Sequence, residues 1–116
     1  MQKDKKSEII FKVELDDKNI PEKISWNTFP DEQNEFKDTK SVMLSIWDAK
    51  ENNTLRLDLW TKEMRVDEMR THFLQTLVTS AESFHKATGN PYVMADMKEF
   101  CEKLAQKTNE WEKNQM

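Results

Sequence analysis

Glycine is almost missing from this chain: Gly89 is the single one in 116 residues. Loops that cradle phosphates need several glycines in close order, so the Walker and dinucleotide-binding routes are closed. Cysteine is equally scarce. Cys101 alone cannot form an internal disulfide, which fits a reducing compartment. No apolar run approaches the ~20 residues that a bilayer span needs. The first residues, Met1-Gln-Lys-Asp-Lys-Lys-Ser7, are charged, and the apolar stretch behind them breaks at Lys12 and Glu14, unlike a secretory signal. Gln2 stands where myristoylation requires glycine. An excess of one charge is lacking too, since 18 basic and 22 acidic residues interleave to a net −4. A phosphate-backbone binder concentrates Lys and Arg on one face. The expectation is a cytoplasmic protein with no membrane span and no nucleic-acid partner.

What is present suits one small domain with a modest core: 34% of the residues are charged and 36% apolar. The chain divides into a disordered tail over 1–7, a single α+β domain over 8–112 and a frayed end over 113–116. In the first segment Ile9, Phe11, Val13 and Leu15 alternate with Ile10, Lys12 and Glu14, the period of a half-buried strand. Asp16-Asp-Lys-Asn19 is a polar turn, and a second strand over 23–28 puts Ile24 and Trp26 on one side. Residues 29–40 are polar and acidic and hold Pro30, so they read as a loop that turns helical near Glu35.

The next two segments test each other. With Asn52-Asn53 as a two-residue turn, Ser45 faces Trp60, Trp47 faces Asp58 and Ile46 faces Leu59. Leu44, Ile46, Leu55, Leu57 and Leu59 then share one face, and Met43, Ser45, Trp47, Arg56, Asp58 and Trp60 the other. A single register sorting both strands is what a real pairing requires. A helix over 39–49 is the rival, because Val42, Ile46 and Ala49 also form a helical stripe.

Asp67 is the expected N-cap of a helix running to Thr88, with Met69, Phe73, Leu77, Ala81 and Phe84 as its buried stripe. Gly89 stands where a left-handed cap belongs and Pro91 follows it. A second helix runs from Met94 to Trp111, with Met97, Phe100, Cys101, Leu104, Ala105 and Thr108 inward. The fold expected is α+β: a four-stranded antiparallel sheet of two hairpins, followed by two amphipathic helices packed on one face. The leucine face of the second hairpin would pack against Met69, Phe73 and Leu77.

No catalytic or metal constellation can be assembled. His72 and His85 lie thirteen positions apart on one helix, roughly 220° around it, so they project from different faces. Glu68 and His72 are one turn apart, the spacing of an ordinary exposed pair. Cys101 falls on an apolar stripe without a histidine in motif range and reads as a core residue. The aromatic face is different. Trp, Met and Arg are the residue types enriched where partners dock, and Met43, Trp47, Arg56, Asp58 and Trp60 are the candidate partner-binding residues. The other reading is that the 29–40 loop, with Phe29 and Phe36, folds over that face and buries it.

The segments Phe11-Lys-Val-Glu-Leu15, Pro21-Glu-Lys-Ile-Ser-Trp26, Met43-Leu-Ser-Ile-Trp-Asp48, Leu55-Arg-Leu-Asp-Leu-Trp-Thr-Lys-Glu-Met64 and Val66-Asp-Glu-Met69 together resemble the gliding motility-associated GldC family of Bacteroidetes. Phe73-Leu-Gln-Thr-Leu77 and Met97-Lys-Glu-Phe100 are similar too. The resemblance implies a small cytoplasmic protein associated with gliding over surfaces, not an enzyme, and it brings no catalytic or cofactor residues. The expected function is therefore that of a non-catalytic accessory or adaptor protein, which docks a protein partner, or a second copy of itself as a homodimer. The alternative is a small hydrophobic ligand- or lipid-binding domain, with a cavity between sheet and helices lined by Leu57, Met69, Phe73 and Phe100.

Overall fold

A computed structural model describes residues 5–30, 33 and 35–115 of the chain. The expected tail and frayed end fall partly outside the described residues, at 1–4 and at Met116. Among the described residues are five strands and two helices, in two compact units, Met1–Met64 and Arg65–Met116.

In the first unit, β1 (Glu8–Leu15) and β2 (Pro21–Phe29) form an antiparallel hairpin, with Phe11 opposite Trp26 and Val13 opposite Ile24. Short β3 (Lys37–Thr39) adds to the other edge of β2, with Thr39 opposite Ile24. β4 (Ser41–Asp48) and β5 (Asn53–Trp60) form a separate two-stranded sheet. The α+β class holds, but the single four-stranded sheet does not: there are two sheets, of three and two strands.

The cause is the stretch from Lys37 to Asp48. It is extended throughout except at Lys40, where it leaves β2 and pairs with β5 instead. Residues 29–40 are therefore not all loop; the helical turn expected near Glu35 falls partly outside the described residues, at 31, 32 and 34, and Glu35 and Phe36 themselves are not helical. β3 escapes a reading by alternation because three residues show no period. Phe36, just before β3, lies 6.0 Å from the Phe29 ring and has the Lys12 ammonium 4.0 Å above it, which ties that stretch to the three-stranded sheet. Ile24, Ser25 and Asn27 on the central strand are buried.

Both hairpin turns use one device. Asp16 Oδ1 accepts the N–H groups of Lys18 (2.8 Å) and Ile20 (2.9 Å), while Asn19 takes φ 63°. Asp48 Oδ1 accepts the N–H of Lys50 at 3.0 Å, while Asn52 takes φ 54°. Aspartate folds back on its own backbone and asparagine tolerates the left-handed conformation, the usual turn chemistry of both residues. Asp16 has a second bond: its Oδ2 lies 2.5 Å from Lys62 Nζ, just past the end of β5. With the Thr61 N–H donating to the Lys40 carbonyl at 2.8 Å, this joins the two sheets.

In the second unit, α1 (Val66–Thr88) and α2 (Tyr92–Asn114) form an antiparallel pair around buried Ala81 and Cys101, with Arg70 Nε donating to Glu112 Oε1 at 2.9 Å. Cys101 is a core residue, as its stripe implied. The N-cap of α1 is Arg65, not Asp67. Glu68 decides this: its Oε1 accepts the Arg65 N–H at 3.0 Å, leaving Asp67 inside the first turn against the Arg65 guanidinium (2.9 and 3.1 Å). Gly89 caps the helix at φ 73°, its N–H donating to the His85 carbonyl. Helix α2 begins two residues before the expected Met94, because Asn90 Oδ1 accepts the Tyr92 N–H at 3.0 Å.

Two expectations follow. Nothing lies within 4 Å of a Cβ built on Gly89, so Gly89→Ala adds only backbone strain and lowers stability by about 1 kcal/mol, read from chemical denaturation. The second concerns Asp16. The Lys62 ammonium, with the backbone N–H groups of Ile20 and Lys18, holds its carboxyl below the ordinary 3.8. Asp16 correspondingly raises the Lys62 ammonium above its ordinary 10.5. The contribution of Asp16 is therefore fully present above pH 3.8 and lost as pH falls through its lowered value, while that of Lys62 is lost only as pH rises through a value above 10.5. Asp16→Asn should lower the melting midpoint at neutral pH, and the gap to the wild type should close in strong acid.

Candidate partner-docking face

The β4–β5 ribbon carries every residue of the candidate site. The strand reading of 39–49 holds over Ser41–Asp48, against the helical rival. The register differs from expectation: Asp48 pairs with Asn53, Ser45 with Arg56 and Ser41 with Trp60, leaving a four-residue turn over 49–52. The Asp48 carboxylate starts the turn early. The slide relative to the expected pairing is an even number of residues, and a strand has period two. Each side chain therefore stays on its expected face. Val42, Leu44, Ile46, Leu55, Leu57 and Leu59 share one, and Met43, Ser45, Trp47, Arg56, Asp58 and Trp60 the other.

The slide does change the spacing within the face. Trp60 now stands opposite Ser41 and Trp47 opposite Thr54. The two indoles are six positions apart along β4, about 20 Å, and form the two ends of a strip. Between them Arg56 is held from two sides. Its Nη2 and Nε donate to Asp58 Oδ1 (2.7 Å) and Oδ2 (3.4 Å), and its Nη1 donates to Ser45 Oγ. Met43 stands opposite Asp58. All five predicted residues lie on this strip, with Ser45 added by the register.

Neither indole is covered. Trp47 is 62% exposed and Trp60 54%. Phe29 and Phe36, expected to fold over that face, contact each other and the three-stranded sheet instead; the rest of the loop expected to cover the indoles falls partly outside the described residues, at 31, 32 and 34. Beside Trp60 the surface dips into a hollow of about 210 Å³ lined by Ile20, Pro21, Asp58 and Leu59. That is below the usual range of ligand pockets, ~300–1,000 Å³, and is the size for one inserted side chain. A second, polar hollow of about 410 Å³ lies by Lys23, Asp38, Thr39 and Thr61. The Thr61 hydroxyl there is buried without a hydrogen-bond partner, a feature the sequence did not signal. The charges around it, Glu22, Lys23, Asp38, Lys40 and Glu63, are of both signs and select no ligand.

The residues weighed for other chemistry are placed apart. His85 Nδ1 is 3.0 Å from the Asn90 carbonyl and locally engaged. Glu68 serves the Arg65 backbone rather than His72. Among the described residues no three of His, Cys, Asp and Glu come together as a metal site. Of the residues expected to line a ligand cavity, Leu57, Phe73 and Phe100 are each about half exposed. Among the described residues no helix is long and apolar enough to cross a membrane.

The profile of the gliding motility-associated protein GldC-like family matches residues 21–110. The chain belongs to this family. The match takes in β2 through most of α2, including the whole β4–β5 ribbon. No curated protein and no solved structure matches the chain.

The Arg56–Asp58 pair is solvent-exposed on both sides, so its contribution to folding should be small. Arg56→Ala should change stability by less than about 1 kcal/mol, measured by urea titration. A larger loss would mean that Arg56 holds the ribbon together.

Proposed function

We propose that this GldC-like protein is a non-catalytic adaptor of the gliding machinery, acting from the cytoplasm by docking a protein partner on the β4–β5 strip. The observation that carries the reading is the pair of uncovered indoles at the two ends of one face, with a pre-oriented guanidinium between them. Trp and Arg dominate binding energy at protein interfaces, where one anchor is worth ~2 kcal/mol or more. Arg56 is already fixed by Asp58 and Ser45, so little side-chain entropy is lost when a partner accepts its remaining hydrogen bonds. A strip ~20 Å long suits an extended segment or one helix laid along the ribbon, with one side chain entering the hollow beside Trp60. Association with gliding is the family's, and the partner belongs to that process in this reading.

The test replaces Trp47 and Trp60 by Ser, singly and together, in a gliding bacterium that lacks its own copy of the gene. Both indoles are exposed, so the variants should melt within about 0.5 kcal/mol of wild type. Each single change should weaken partner binding about 30-fold, and the double variant should fail to restore colony spreading. Loss of cooperative melting would show instead that the rings are core, and unimpaired spreading would sink the strip as a docking site.

A further inference from the structure

The hydrogen-bonding groups left open on the β4–β5 strip are mostly of one kind. A guanidinium has five N–H groups. On Arg56, the Nε–H and one N–H of Nη2 go to Asp58, and one N–H of Nη1 goes to Ser45 Oγ. That leaves one N–H on each terminal nitrogen. An indole nitrogen only donates, and among the described residues neither Trp47 nor Trp60 gives its ring N–H to an acceptor. Both Asp58 oxygens already accept from Arg56. The strip therefore presents four open N–H donors between Trp60 at one end and Trp47 at the other, all within the first unit.

We propose that the occupant of the strip is a proline-rich segment of the partner in the polyproline II conformation, an inference that rests on the docking reading above. Matching these donors takes a segment with open carbonyl oxygens and few N–H groups of its own. An α-helix spends its carbonyls on its own backbone. An extended strand laid on a ribbon face brings one N–H for every carbonyl, and those N–H groups lose water without gaining acceptors. Polyproline II has no internal hydrogen bonds, so its carbonyls stay open, and each proline removes an N–H. Length agrees as well. With three residues per turn and ~3.1 Å per residue, positions i and i+6 face the same way ~19 Å apart. The indoles stand about 20 Å apart, so one proline ring can lie on each while a carbonyl between them accepts from Arg56. The hollow beside Trp60 has Ile20, Pro21 and Leu59 in its wall, apolar contacts for the ring at that end. Such a segment is ordered before it binds, so docking on aromatic faces costs it little entropy.

The test titrates capped decaproline into the full chain carrying a nitrogen isotope label. A capped Gly-Ser peptide of equal length and a capped, glutamate-bearing helical peptide are compared with it. The indole N–H resonances of Trp47 and Trp60 and the Arg56 Nε–H resonance should shift and saturate with decaproline, while those of Trp26 and Trp111 stay in place. The Gly-Ser peptide has the same carbonyls without the preset shape and should bind at least ~10-fold more weakly. Trp47→Phe keeps a ring and loses one N–H, so it should weaken decaproline binding about 5-fold. Absence of a saturable shift at either indole overturns the proposal. So does an equal response to the Gly-Ser peptide, tighter binding of the acidic helix, or an unaltered affinity in Trp47→Phe. These results remove the proline-rich occupant alone; the strip itself falls only if the Trp47→Ser, Trp60→Ser double variant still restores colony spreading.

Discussion

Lys62 and Asp16 meet at 2.5 Å where the end of the β4–β5 ribbon comes up against the turn of the first hairpin. The same carboxylate ties down two N–H groups of that turn. One side chain thereby fixes the shape of the turn and the position of the strand end next to it. The Lys40–Thr61 hydrogen bond lies beside this joint, at the base of the ribbon. Val42 to Leu44 and Leu59, near the joint, are partly covered, while Ile46, Trp47, Leu55 and Leu57, toward the tip, are exposed. A two-stranded ribbon has little independent stability. Its base is therefore where it is anchored, and its tip is where contact with another molecule costs the least rearrangement.

The sequence made the faces of that ribbon legible but not its register. Alternation fixes parity, and parity survived a wrong turn assignment because the two possible pairings differ by an even number of residues. Turn chemistry is finer. Asp48 and Asn53 could each have ended a strand, and only the folded Asp48 carboxylate separates the alternatives. The change of partner at Lys40 had no periodic signal, since both halves of the stretch are extended. At the start of α1 the residue type of Asp67 suited a cap, yet Glu68 three positions after Arg65 made the backbone contact. A capping-box spacing is the better indicator there. The end of α1 was plain, because a lone glycine before a proline has few other uses.

Exposure is where reading by period stops. Phe73, Phe84 and Phe100 lie on apolar helical stripes, and a stripe says that something covers the face without saying what. The same limit applies to Trp47 and Trp60, whose uncovered state could not be read from their spacing. The strip on the ribbon mixes indoles with an oriented ion pair, the composition of a selective contact.

The lone thiol of the chain has a use that follows from its place. Cys101 is buried in the helical pair, 6% exposed. It lines a shallow groove beside Leu74 and Val78, yet at that exposure an alkylating reagent reacts quickly only when the groove widens, and no other sulfhydryl competes for the label. The rate of labelling is therefore a clock for the breathing of the helical pair, running in the unaltered protein.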